Sequence, residues 1–189
     1  MSKEFAAAGL TVGQLNALVK KIGGYEAVMS ILRGSVEVGT KAGDYISAAF
    51  NKDRIDYDRS IGDFLRAGRY NWINDSISCS SFKPKESGHG EVEYVIFHFN
   101  QETSSEANIL EINKAGCAPS TVKEFLNFGE KHPEIQRQFP IVALGSVVER
   151  GRDNLVGYLG SEGRHRYLFL QQFNNVWSNS YHFLGVHRV

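Results

Sequence analysis

An α+β fold with a two-helix amino-terminal head is what this chain of 189 residues predicts. Three observations carry that expectation. Stretches with apolar residues at helical spacing and capping signals occupy the first part, β-branched and aromatic runs occupy the last part, and glycines stand where the helical stretches end. The sheet is expected as an antiparallel meander of about four to five strands covered by short helices, because consecutive strands joined by short turns usually pair. Three units follow: a helical hairpin module over 1–34, a linker or weak helix over 35–60, and an α+β body over 61–189.

Thr11 and Gln14 have capping-box spacing, and Leu15, Leu18, Val19 and Ile22 recur on one helical face before Gly23 and Gly24 stop the run. Val28, Ile31 and Leu32 form the stripe of a second short helix that Gly34 ends. Neither helix is long enough to be stable alone, so Leu15, Leu18, Val28 and Leu32 are expected to dock on the body or on a partner. Ser35 to Ser60 carries a weaker pattern around Tyr45, Ile46 and Phe50. Ile61, Phe64 and Leu65 stand in helical register ahead of Gly68, and Trp72, Ile73 and Ile77 anchor a Ser- and Asn-rich stretch. Val92 to Phe99 reads as a central strand, with Val95, Phe97 and Phe99 on one face and Tyr94, Ile96 and His98 on the other. Capping boxes at Thr103/Glu106 and Thr121/Glu124 open two further helices, closed by Gly116 and Gly129, and Pro133 starts one more that Pro140 ends. Ile141 to Glu149, Leu155 to Leu159, His165 to Phe173 and Tyr181 to Arg188 are strand-like runs between Gly-containing turns.

Composition narrows the function classes. With 42% hydrophobic and 22% charged residues the chain can bury a core, which excludes an intrinsically disordered segment. Lys plus Arg equals Asp plus Glu at 21 each, so no global field draws it to nucleic acid or to an anionic membrane. No apolar run approaches the ~18 residues of a membrane span. The stretch before Leu10 lacks the apolar length of a secretion signal, and Cys79 and Cys117 fit no disulfide framework, so reduced thiols in the cytoplasm are expected.

The block from Cys117 to Ser146, containing Pro119-Ser-Thr-Val-Lys-Glu-Phe-Leu-Asn-Phe-Gly-Glu-Lys-His-Pro-Glu-Ile-Gln-Arg-Gln-Phe-Pro-Ile-Val-Ala-Leu-Gly-Ser146, resembles a recurring block in uncharacterised proteins of environmental bacterial lineages. The amino-terminal Leu10-Thr-Val-Gly-Gln-Leu-Asn-Ala-Leu-Val-Lys-Lys-Ile-Gly-Gly24 resembles a helical block that precedes variable continuations in similar proteins. The resemblance implies a modular chain, a helical head on an α+β body. It implies no activity and no catalytic residue.

Nothing matches a phosphate-binding glycine loop, HExxH or an EF-hand, and His182 and His187, five apart on a strand, fall on opposite faces; no metal and no cofactor is expected. His98 in its apolar strand is either a general base or a bonded core histidine, and Cys117 is either a nucleophile favoured by the next helix's positive end or a small filler. A base or nucleophile needs a positioned partner. Asp56 and Asp58, with Arg54 and Arg59, form either an acidic site or a solvated charged loop. From Ile141 onward there are five arginines against three acids, and Arg164, Arg166, Tyr167, Phe169, Trp177 and Arg188 combine arginine with aromatic strands, as single-strand nucleic-acid binders do. An ordinary sheet core with snorkelling arginines is the rival explanation. The leading expectation is a bacterial, non-catalytic protein-interaction or binding module with an unidentified protein partner and no membrane. A nucleic-acid binder is the alternative, and a small hydrolase or transferase using His98, Cys117 or the carboxylates comes third.

Overall fold

The computed structural model of the protein describes residues 36–40, 45–50 and 52–188. The expected helical hairpin over 1–34, with Leu15, Leu18, Val28 and Leu32, lies outside the described residues.

The strands are β1 (Val36–Thr40), β2 (Tyr45–Phe50), β3 (Asp53–Asp56), β4 (Trp72–Ile73), β5 (His89–Phe99), β6 (Ala118–Pro119), β7 (Ile141–Arg150), β8 (Asp153–Glu162), β9 (His165–Gln172) and β10 (His182–Arg188). The helices are α1 (Ile61–Gly68), α2 (Cys79–Phe82), α3 (Ser105–Lys114), α4 (Val122–Lys131) and α5 (Pro133–Gln136). All ten strands form one mixed sheet in the order β1-β2-β5-β10-β7-β8-β9-β4, with β3 also on β5 and β6 on β10.

This corrects the expected antiparallel meander of four to five strands. The β7-β8-β9 run is such a meander, but β10 does not add to its edge; it inserts between β5 and β7, antiparallel to the first and parallel to the second. The physical reason lies in β10 itself, where His182 through Val186 are buried on both faces. A strand apolar on both sides is stable only inside a sheet covered on both sides. The connection from β9 is long enough to allow the crossing, and Trp177, fully buried, pins it: Trp177 and Thr103 exchange backbone hydrogen bonds at 2.9 and 3.0 Å, and the indole Nε1 donates to Ser105 Oγ at 2.8 Å.

The segment expected as a linker or weak helix is also corrected. Its residues form β1, β2 and β3, and β2 and β3 both pair with β5, so this stretch completes the sheet.

One sheet face is covered by α1, α2, α4 and α5, whose Phe64, Phe82, Phe125, Leu126, Phe128 and Ile135 join a core with Tyr94, Ile96, Leu159 and Leu184. Each such side chain contributes about 1.5–3 kcal/mol on burial. The α1 start is a capping box in which Ser60 and Asp63 each accept the other's backbone N–H at 3.1 Å. The opposite face carries a second core of Val95, Phe97, Phe99, Val142, Trp177 and Phe183, over which α3 places Ile112. Where β7 passes under β6 the backbones nearly touch: Gly145 N donates to Ser120 O at 2.9 Å, and a Cβ at Gly145 would collide with Pro119 O.

Candidate functional site

The alternation read from β9 places Arg166 and Leu168 inward, buried at 5% and 0% exposure, and turns Tyr167 and Phe169 to the other face. The β8–β9 register sets Tyr158 opposite Phe169 and Gly160 opposite Tyr167, and β4 runs parallel to β9 with Trp72 beside Tyr167. One face of the outer strands therefore gathers aromatic rings from three strands. Trp72 and Phe169 lie 5.2 Å apart, Phe169 and Tyr158 stack at 4.8 Å, Tyr158 meets Tyr181 at 5.9 Å, and Tyr181 meets the buried Trp177 at 5.0 Å. Tyr167 flanks Phe169 at 5.6 Å. The row starts in the core and ends at the surface: Trp177 is fully buried, Tyr158, Tyr167, Phe169 and Tyr181 are half-buried, and Trp72 is 45% exposed.

Two further details define this face. Burial holds the Tyr158 phenol above its ordinary pKa, with Tyr181 adding to the effect, so it stays a neutral hydroxyl at physiological pH. Gly160 lies between the rings, where a Cβ would come within 3.4 Å of both Phe169 and Tyr158. Trp72, Tyr167 and Phe169 belong to neither core cluster.

The arginines expected beside these rings go elsewhere. Arg166 points to the helix-covered face, where Nε donates to Gln136 Oε1 at 3.0 Å, Nη1 to Gly68 O at 2.6 Å and Nη2 to Gly129 O, with the guanidinium over the Tyr70 ring. Arg188 makes a two-pronged pair with the fully buried Glu124, at 2.7 and 3.0 Å. Trp177 is core. Of the six residues expected to form a binding patch, Tyr167 and Phe169 share the aromatic face and Arg164 is exposed in the β8–β9 turn, while Arg166, Trp177 and Arg188 have structural positions. Trp72, Tyr158 and Tyr181 complete the face. Strand parity puts Tyr158 and Gly160 on one side of β8, a signal present in the sequence, but Trp72 joins only through a two-residue strand whose pairing is tertiary.

The other candidates resolve as follows. His98 lies opposite His182 across β5 and β10, and the two rings stack at 4.3 Å. His98 Nε2 lies 2.7 Å from Asn179 O and so carries the proton, and Nδ1 is buried with no hydrogen-bond partner among the described residues. His182 is packed against Phe139 at 3.7 Å, and burial, reinforced by His98, pulls its pKa down to about 3. This has a measurable consequence. Below pH ~6.5 the unfolded chain takes up a proton that folded His182 refuses, so its contribution to stability is whole above that pH and declines until pH ~3. Against a His182→Gln variant, the wild-type stability difference should be flat from pH 8 to 7 and shrink from pH 6.5 to 4, by up to about 1.4 kcal/mol per pH unit. A difference that stays flat down to pH 4 would contradict the buried neutral ring.

Cys117 does have an imidazole partner, His187 Nε2 at 3.3 Å, and Glu93 stands opposite His187 in the β5–β10 register. Cys117 is 6% exposed, however, and its amide N–H donates to Ile112 O at the carboxy-terminal end of α3. The carbonyls at that helix end disfavour a thiolate, which speaks for the small-filler alternative over the nucleophile. Asp56, Asp58 and His89 bring three possible metal-ligand atoms within 4.8 Å of one another. The two carboxylates already hold the end of the β3–β5 pair, Asp56 Oδ1 accepting Asp58 N–H at 2.9 Å and Asp58 Oδ1 accepting Gly88 N–H at 2.8 Å. Beside them Arg54, Arg59, His89 and Lys131 line an open cavity of about 440 Å³.

Comparison with known proteins returned no matching family model, no matching curated protein and no matching solved structure.

Proposed function

We propose that this protein is a non-catalytic binding module that takes its ligand on the aromatic face formed by β4, β8 and β9. The observation that carries the reading is the row of rings leading from buried Trp177 to Trp72, which is 45% exposed at its outer end. Aromatic side chains offer large contact area at little conformational cost and are the residues on which binding energy concentrates. The sheet beneath holds them rigidly, since Tyr158 and Phe169 are fixed by strand register as well as by each other. A bacterial, cytoplasmic setting accords with the resemblance of the two sequence blocks. Among the described residues no helix is long and apolar enough to cross a membrane.

The nucleic-acid reading keeps only Arg164 of its three expected arginines, because Arg166 and Arg188 are committed to Gln136, two backbone carbonyls and Glu124. The test is a thermal-shift screen of the full chain against soluble neutral polysaccharides, a single-stranded oligonucleotide and unfolded polypeptide. A true ligand raises the midpoint by mass action, and Trp72→Ala is expected to abolish the shift while leaving the unliganded midpoint within about 2 °C. If no class shifts the midpoint, or if the shift survives Trp72→Ala, the face is not the binding site.

A further inference from the structure

The chemistry of that face points to its ligand, an inference that rests on the binding reading above: we infer that it takes a neutral, hydroxyl-rich chain, an oligosaccharide. What the rings present to solvent decides this. Side chains on a strand stand roughly perpendicular to the sheet. Tyr158 and Phe169 are stacked on each other at an interplanar angle of 17°, so their π faces are largely consumed by one another and their outer edges are what a ligand meets. Ring edges carry the positive end of the aromatic quadrupole, and Tyr158, Tyr167 and Tyr181 add phenolic O–H groups. Positive edges and hydroxyl donors suit a ligand rich in neutral oxygen atoms. Trp72, tilted 44° from Phe169, is the ring placed to offer a face, against which the apolar C–H side of one sugar ring packs.

Charge complementarity supports the same occupant. On this side of the β8–β9 pair, parity places Asn154 and Gln171 at one end and Glu162 with His165 at the other, with Gly160 buried between the Tyr158 and Phe169 rings. Carboxamides and a carboxylate accept hydrogen bonds from sugar hydroxyls. The same carboxylate repels a phosphate backbone, and base stacking needs free ring faces in series, which the Tyr158–Phe169 stack does not provide. The spacing across strands, 5.2 Å from Trp72 to Phe169 and 4.8 Å from Phe169 to Tyr158, is close to the length of one hexose unit, so an extended glycan laid across the strands meets one ring per sugar.

Native electrophoresis of the full chain through gels containing a soluble β-glucan, an α-glucan or a xylan tests this, with a gel containing oligo(dT) beside them. The expected result is retardation in at least one polysaccharide, insensitive to salt from 50 to 500 mM, at least tenfold weaker affinity for Trp72→Ala, and a loss of threefold or more for Tyr158→Phe combined with Tyr167→Phe. The tyrosine variants keep ring and packing and remove only the hydroxyls, so a purely apolar or polypeptide ligand would bind them as well as wild type. Unchanged thermal midpoints establish that the variants are folded. No retardation in any polysaccharide overturns the glycan assignment. If oligo(dT) or unfolded polypeptide then binds in a Trp72-dependent way, the face stands as a binding site with a different occupant; if nothing binds, or Trp72→Ala binds equally, both readings fall.

Discussion

Arg166→Met is expected to destabilise the chain by about 3–5 kcal/mol in urea unfolding, because three buried acceptors lose their donor and each such loss costs about 1–3 kcal/mol. The guanidinium is the point where three helices end. Gly68 O closes α1, Gly129 O lies in the last turn of α4, and Gln136 is the final residue of α5. Helix carboxy-terminal carbonyls carry the negative end of the macrodipole, so one cation shared among three ends is compensated although no carboxylate among the described residues forms an ion pair with it. Burial still pulls the Arg166 pKa below its ordinary value, the direction expected for a charge held by neutral dipoles. Arg166→Lys should recover little, since an ammonium cannot reproduce a planar fork reaching three acceptors and lying over the Tyr70 ring. Circular dichroism should show the Met variant melting roughly 10 °C or more below wild type. A midpoint within a degree or two of wild type would show that the three helix ends hold without the guanidinium.

Glu124→Ala is expected to cost a similar amount, about 3–5 kcal/mol, for a different reason. Its carboxylate is fully buried and answers several donors at once: Thr121 N–H at 2.7 Å as the reciprocal arm of the α4 capping box, the Tyr57 hydroxyl at 2.8 Å, and Arg188 by two hydrogen bonds. The Glu124 backbone oxygen accepts from the Tyr94 hydroxyl, which in turn accepts from Asn127. Removing the side chain strands the Tyr57 hydroxyl and the Thr121 amide in the interior. Burial, with the neighbouring carboxylate, keeps the Tyr57 phenol well above its usual pKa, so it remains a donor throughout the working range. Glu124→Gln keeps one acceptor oxygen for the Thr121 N–H, turns the other position into an NH2 that the Tyr57 hydroxyl can accept from by rotating, and gives up the charge and one arm facing Arg188, whose side chain is 47% exposed and can turn to water. The Gln variant should therefore lose only about 1–2 kcal/mol. Equal losses for the two variants in urea titrations would mean that the Arg188 charge pair, and not the satisfied network, dominates this site.

Both residues show how a sequence reading and the folded chain part company. Arg166 and Arg188 sit on aromatic strands and were expected beside the rings as a nucleic-acid patch. Strand parity did separate Arg166 from Tyr167, as alternation requires, but only the packing of α1, α4 and α5 against β9 shows that the inward face holds helix ends hungry for a cation. Glu124 was legible as a cap, since Thr121 and Glu124 have capping-box spacing; that the same carboxylate would meet Tyr57 and Arg188, more than sixty residues away on each side, was not. Cys117 found the histidine partner that sequence could not place, yet it meets the carboxy-terminal end of α3, because its amide closes the helix behind it.

Local signals by themselves determined the helix start at Thr121, the both-faced burial of β5 and the β7-β8-β9 meander, since capping spacing, alternation and short turns act within a few residues. Tertiary structure alone decided that β1 to β3 complete the sheet, that β10 returns to its middle, and that Trp72 joins Phe169 and Tyr158 on one face. Those outcomes depend on which apolar surfaces find cover on both sides, a condition that no window of the chain contains.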